Sequence, residues 1–272
     1  METNRIFITG GASGLGKAIA MFYAKSGAKV AIGDINDISL EETKQELLQH
    51  TADVLTFHCD TTKFKDLEKV RSELETQWLG LDILVNNAGI VGQVGEVEEL
   101  TISQWQHVLE INLLGVIRGC KAFNTLFKQQ KSGAIVNIAS MAGIINAPQM
   151  GIYNCSKAGV ISLTETLHYE LAPHNVSAHV VCPAFFKTNL TDSMASSDKS
   201  ISFVNKLMES SKLTADDIAA MIAKQIESRD LFLLPHKRER NLYLLKRLLP
   251  NGFFKKMSQM YTKGFSKKVG TK

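Results

Sequence analysis

The chain has 272 residues, 44% of them hydrophobic and 21% charged, and a formal net charge of +4. That balance fits a soluble globular protein and excludes a disordered one. No run reaches the about eighteen apolar residues a membrane span needs. Cysteines 59, 120, 155 and 182 stand apart with no Cys-x-x-Cys, so neither a metal site nor a disulfide framework is expected, and reduced thiols point to the cytoplasm. The N-terminus enters a strand-like run at once, without the pattern of a secretory signal. Charge is unevenly placed. Eleven of the 31 Lys and Arg follow Pro235, against one acid, Glu239, so that segment carries +10 and residues 1–235 carry −6.

Short apolar runs alternate with helical patterns. Strands are expected over residues 5–9, 29–33, 54–58, 81–85, 134–138, 176–181 and 231–234. Helices are expected over 15–26, 39–49, 63–78, 103–128, 153–171 and 215–228. Strands without internal polar alternation suit a sheet covered on both faces. The βαβα rhythm predicts a Rossmann-like α/β fold, a doubly wound parallel sheet in one domain over 1–235. Residues 236–272 form a basic C-terminal extension. There Leu242, Leu245, Leu248 and Leu249 recur at helical spacing, Pro250-Asn251-Gly252 breaks the helix, and Phe253, Phe254, Met257, Met260, Tyr261 and Phe265 make a second apolar stripe among lysines.

Between the first strand and helix lies Thr9-Gly10-Gly11-Ala12-Ser13-Gly14-Leu15-Gly16. Glycines there let backbone N–H groups approach a pyrophosphate, and the helix N-terminus adds partial positive charge. Asp34 ends the second strand, where a carboxylate accepts ribose hydroxyls and repels a 2′-phosphate. The cofactor reading is therefore NAD ahead of NADP. Asp60 follows the third strand, placed either to meet an adenine edge or to cap the next helix.

Tyr153 and Lys157 are four apart and share a helix face. An adjacent ammonium favours the phenolate, bringing a poor base towards working pH. Ser140, at the end of the fifth strand, can hold a substrate oxygen. Alone, Tyr-x-x-x-Lys is an ordinary surface pair; in order with the glycine loop, Asn86-Asn87-Ala88-Gly89 and Ser140, it is a catalytic constellation.

With these motifs the chain resembles the short-chain dehydrogenase/reductase family, Tyr-x-x-x-Lys type, over roughly residues 5–235. The resemblance implies that Tyr153 is the general acid/base, that Lys157 tunes it and binds the nicotinamide ribose, and that Ser140 positions the substrate oxygen. It implies that Asn112 holds a water in a proton relay, where the bland alternative is a polar residue in a mid-helix kink. Gly10, Ser13, Gly14, Leu15, Gly16, Asp34, Asp60, Asn87, Ala88, Gly89, Pro183 and Thr188 would line the dinucleotide. The family usually has Pro-Gly where this chain has Pro183-Ala184, which adds a methyl group beside the nicotinamide. Substrate contacts would come from Ser140, Met141, Ala147, Met150, Tyr153, Ala184 and Phe185. The two stretches 141–150 and 184–213 are apolar and contain no arginine, which points to a lipophilic secondary alcohol or ketone. The same residues would equally suit packing of a lid onto the core. The family also implies a homodimer or homotetramer.

The expected activity is hydride transfer between NAD(H) and such a substrate. The alternatives are an NADP(H)-dependent carbonyl reductase and a non-catalytic dinucleotide-binding scaffold. The extension suits an arm packed on the acidic body or a neighbouring subunit, or peripheral contact with an anionic membrane. Nucleic acid is not expected, because the charge lies outside any binding fold for it.

Overall fold

A computed structural model of the chain describes residues 4–184, 186 and 211–269 and the backbone of 194–195, with side chains as far as residue 263. Seven strands form one sheet: β1 (Arg5–Thr9), β2 (Lys29–Asp34), β3 (Val54–His58), β4 (Ile83–Asn86), β5 (Ala134–Ile138), β6 (Ser177–Val181) and β7 (Phe232–Leu233). Their order is β3-β2-β1-β4-β5-β6-β7, and every pairing is parallel. The order reverses between β1 and β4, so the connections leaving these two strands diverge and open a crevice at their carboxyl ends.

Both faces of the sheet are covered, which is why its strands lack polar alternation. Ile6 and Ile8 point to one face and cluster with Val30, Ile32, Val85 and Val136. Ile19 of helix α1 (Gly14–Lys25) and Ile218 and Ile222 of α8 (Ala215–Ser228) close that face. Phe7, between the two isoleucines, points the other way. Its ring centroid lies 5.7 Å from that of Phe123 in α5 (Gly115–Gln130), which in turn meets Phe127. Each such side chain, fully buried, stabilises the fold by roughly 1.5–3 kcal/mol.

The remaining helices of this unit are α2 (Asp37–Leu47), α3 (Phe64–Trp78), α4 (Ile102–Leu109), α6 (Ala142–Ile145) and α7 (Gly151–Leu171). The single helix expected over 103–128 is two, α4 and α5, joined by a π-helical turn, Glu110–Leu114. The wide turn is held from both sides. The Asn112 side chain is pinned to Ile90 and Ser156, and the Arg118 guanidinium donates to the Glu110 carbonyl at 3.4 Å and to the Glu110 carboxylate.

The chain divides into two compact units, Met1–Pro235 and His236–Lys272. The second contains α9 (Lys237–Leu248) and α10 (Pro250–Val269). The helix breaks before Pro250 as expected, and Pro250 opens α10, because the first helical turn does not use its missing N–H. Within this unit the Lys246 ammonium sits 5.1 Å from the centroid of the Phe254 ring. No helix among the described residues is long and apolar enough to cross a membrane.

Candidate active site

The glycine loop is built by close approach. Gly10 and Gly14 take φ of +61° and +52°, the left-handed region that favours glycine. At Gly16 a β-carbon would stand 2.1 Å from the Gly10 carbonyl oxygen and 2.6 Å from Asn87 Nδ2, so only glycine lets α1 seat against the loop. Asn87 fixes the other side, its Nδ2 donating to the carbonyls of Thr9 and Gly10 at 3.1 and 2.9 Å. The N–H groups of Asn87 and Ala88 both donate to Thr9 Oγ1. Ser13 is the N-cap of α1, and its side chain makes no capping bond among the described residues. The first N–H groups of α1 therefore remain available to an anion. Asp34 reaches the same loop: Oδ2 accepts from Ala12 N at 3.3 Å and Oδ1 from Asn36 N at 3.2 Å. A tight glycine cradle, an uncapped helix start and a carboxylate at its mouth fit an adenine dinucleotide.

Asp60 organises a turn. Oδ1 accepts from the Thr62 N–H and hydroxyl at 2.9 and 2.7 Å, and Oδ2 pairs with Lys63 at 3.3 Å. Burial raises its pKa, but the Thr62 hydrogen bonds and Lys63 outweigh that and leave it lowered. The cap position of α3 belongs to Lys63, three residues beyond the position read from sequence.

Tyr153 lies in the first turn of α7, facing Ser140 at the end of β5. The Ser140 hydroxyl hydrogen-bonds the phenol, accepts from Ala142 N at 3.1 Å and donates to the Pro183 carbonyl at 3.5 Å. Lys157 is buried one turn on, its Nζ donating to the Ile138 carbonyl at 2.9 Å and lying 5.8 Å from the Tyr153 ring centroid. The expected lowering of the phenol is not what burial produces. Desolvation pushes Tyr153 up to about 12, with the Ser140 hydrogen bond opposing, and pushes Lys157 down to about 8. At neutral pH the phenol is protonated and poised to donate. Cys182, also buried, is raised to about 12 by desolvation, with the Lys157 charge opposing.

Asn112 is fully buried in the π turn. Its Oδ1 accepts from Ile90 N at 2.8 Å, and its Nδ2 donates to Ile90 O at 2.8 Å and to Ser156 Oγ at 3.1 Å. It joins the strand following Gly89 to α7. A β-carbon on Gly89 would meet Asn112 Oδ1 at 3.1 Å and Lys157 Nζ at 3.4 Å, so the three groups are close neighbours. A second buried network runs behind them: Asn86 Nδ2 donates to Asn137 Oδ1 at 2.8 Å, and Asn137 Nδ2 donates to Thr164 Oγ1 at 3.0 Å. Asn137, Ser156 and Thr164 carried no motif. The only trace of them in the sequence is polarity at positions where a strand or a helix face is otherwise apolar.

On the substrate side, Met141 and Ile144 are buried and pack into the fold, while Ala147 and Met150 are half-buried. Met141 N donates to the Pro183 carbonyl at 2.9 Å, tying the ends of β5 and β6 together. Ala184 takes no left-handed φ, so alanine in place of the family's glycine is unstrained. Asn154 Nδ2 holds the Ala147 carbonyl at 2.7 Å, and Gln149 takes φ +64° in the same segment. Phe185, Thr188 and most of the stretch 184–213 lie outside the described residues.

Comparison with known proteins places this geometry. A family model described as "short chain dehydrogenase" matches residues 4–199. A "CLA biosynthesis dehydrogenase/reductase" of Lactiplantibacillus plantarum is 31% identical over 91% of this chain and 93% of its own. A "3-oxoacyl-[acyl-carrier-protein] reductase FabG" of Thermotoga maritima is 33% identical over 71% of this chain and 78% of its own. Among solved structures, a short-chain dehydrogenase/reductase from Burkholderia phymatum in complex with NAD superposes with a TM-score of 0.84 at 28% identity, covering 90% of this chain and 93% of that one.

Proposed function

The chain belongs to the short-chain dehydrogenase family of NAD(P)-dependent oxidoreductases, and on that premise we propose that residues 1–235 interconvert a lipophilic secondary alcohol and its ketone with NAD(H). The observation that carries this reading is the Ser140–Tyr153–Lys157 cluster, with Tyr153 and Lys157 buried, Lys157 next to Gly89, and the phenol protonated.

Gly10, Ser13, Gly14, Leu15 and Gly16 would hold the pyrophosphate and Asp34 the adenine ribose. Asp60, Asn87, Ala88 and Gly89 would flank the adenosine half, and Lys157, Pro183 and Thr188 the nicotinamide half. When bound, the dinucleotide supplies the ring that gives or takes the hydride. The protein moves the proton. In reduction Tyr153 donates to the carbonyl oxygen while Ser140 holds that oxygen; in oxidation the phenolate takes the proton back. Lys157, anchored on the Ile138 carbonyl, supplies the positive charge that makes the phenolate accessible. Asn112 keeps Gly89 and Ser156 in register around Lys157, and a water on its amide would link that lysine to solvent.

Three features support the finer choices. Asp34 at the mouth of the loop disfavours a 2′-phosphate, which supports NAD over NADP. The apolar residues Ala147 and Met150 beside the site, in a stretch without arginine, support a lipophilic substrate over a carboxylate or phosphate. Exposed Leu114 and Tyr169, on the helices through which this family assembles, support a homodimer or homotetramer.

The test is absorbance at 340 nm with NAD⁺ and NADP⁺ across lipophilic secondary alcohols. Tyr153→Phe is expected to lower turnover by about 10²–10⁴ while NADH fluorescence still reports binding. Turnover that survives in the variant would remove Tyr153 from the chemistry. Asp34→Ala is expected to raise the NADP⁺ to NAD⁺ ratio of kcat/KM by about tenfold, roughly one lost charge contact; an unchanged ratio would overturn the assignment of Asp34.

A further inference from the structure

The tail carries an unusual surface. Of the large apolar side chains exposed among the described residues, Leu244, Leu245, Leu248, Leu249, Phe254, Met260 and Tyr261 all fall within 18 consecutive positions. Leu248 is 76% exposed, Leu249 60% and Met260 60%. Their spacing is that of a helix face. Leu244 and Leu248 lie one turn apart on α9, Leu245 is exposed on the same helix, Leu249 follows at its C-cap, and Phe254, Met257 and Tyr261 recur at three and four residues on α10. Lys237, Arg238, Arg240, Arg247, Lys255, Lys256 and Lys263 are exposed around them. On α10 the lysines take the opposite arc, and the Lys246 ammonium lies over the Phe254 ring, keeping positive charge beside the apolar surface.

We propose that residues 237–263 dock this protein on the surface of an anionic lipid bilayer without crossing it. Exposed apolar arcs flanked by charge of one sign suit the boundary between lipid headgroups and acyl chains. The charge selects the partner. Residues 237–263 carry eight Lys and Arg against one acid, a net of +7 that repels a second copy of the segment and is drawn to acidic headgroups. Neither helix is apolar enough to span, so the contact lies in the plane of the surface. This inference is independent of what the crevice binds.

The full-length protein is sedimented with vesicles of phosphatidylcholine mixed with phosphatidylglycerol, and with vesicles of phosphatidylcholine alone. It is expected to pellet with the first and not the second, and to be released by high salt. Lys255→Gln with Lys256→Gln is expected to weaken binding by on the order of thirtyfold. Leu245→Glu with Leu248→Glu, both at exposed positions, is expected to weaken it by on the order of tenfold or more. Failure to pellet, equal pelleting with both vesicles, or equal pelleting of wild type and both double variants would overturn the proposal. A sedimentation coefficient that falls in the leucine variant without vesicles would also overturn it, by showing that a second copy covers those leucines.

Discussion

The two walls of the crevice are made differently. The wall formed by the ends of β1, β2 and β4 is backbone: glycines at left-handed φ, main-chain carbonyls taken by Asn87, and N–H groups gathered on Thr9. The wall formed by residues 141–150 is side chain, with Met141 and Ile144 buried and Ala147 and Met150 half-buried. A backbone wall recognises a ligand that never changes, and it tolerates almost no atoms added. A side-chain wall recognises by shape and can be refilled without rebuilding the chain around it. The residues proposed to handle the proton sit on the seam, with Tyr153 and Lys157 on α7 and Ser140 just past the end of β5.

The difference can be pressed hardest at Gly16. Gly16→Ala forces a methyl group against the Gly10 carbonyl and is expected to cost about 2–3 kcal/mol of stability and to abolish NADH fluorescence binding; chemical denaturation and a cofactor titration check both. An alanine accepted there without loss would mean that the backbone wall is as plastic as the other. The seam is tested by pH. With Tyr153 raised to about 12, its deprotonated fraction, and with it alcohol oxidation, is expected to rise about tenfold per pH unit below pH 8. Above that the slope flattens as Lys157, lowered to about 8, loses its charge. Ketone reduction, which uses the protonated phenol, is expected to stay flat over the same range. Rate profiles in both directions separate the two. The smallest effect belongs to the side-chain wall. Gln149 holds a left-handed φ, so Gln149→Gly is expected to stabilise the protein by roughly 0.5–1 kcal/mol, read from the denaturation midpoint. A fall in turnover alongside that gain would show that the strain positions the segment for catalysis.

The same contrast explains what could be read beforehand. Gly10, Gly14, Gly16 and Asn87 stand out because a backbone wall needs particular residues at particular spacings, and β1 to β7 stand out because buried parallel strands are uniformly apolar. Of the π turn at Glu110–Leu114 only the kink offered as the alternative for Asn112 was legible, because the apolar rhythm of 103–128 runs through it and the cause is a contact made 22 residues away, Asn112 with Ile90. The Asn86–Asn137–Thr164 network was invisible for the same reason: its partners are distant in the chain. The Tyr153 phenol was expected to be lowered by its neighbour in sequence, and it is raised by burial, which is a property of the packed structure. The break read at Pro250 is where one helix ends at Leu248 and the next begins, since the same missing N–H that stops a helix is tolerated in a first turn.

The strand order has a consequence for how the chain assembles during synthesis. β1, β2 and β3 are complete once residue 58 has left the ribosome, and they pair with one another through short crossovers. β4 must return across β3 and β2 to reach β1, whose Thr9 pairs with Asn86. Until that return, one edge of β1 and the glycine loop are open. A nascent chain that has reached only this point would present the unpaired edge of β1, the kind of surface that aggregates or recruits chaperones. The pairing that closes that edge, Thr9 with Asn86, is also what brings Asn87 onto the carbonyls of the glycine loop.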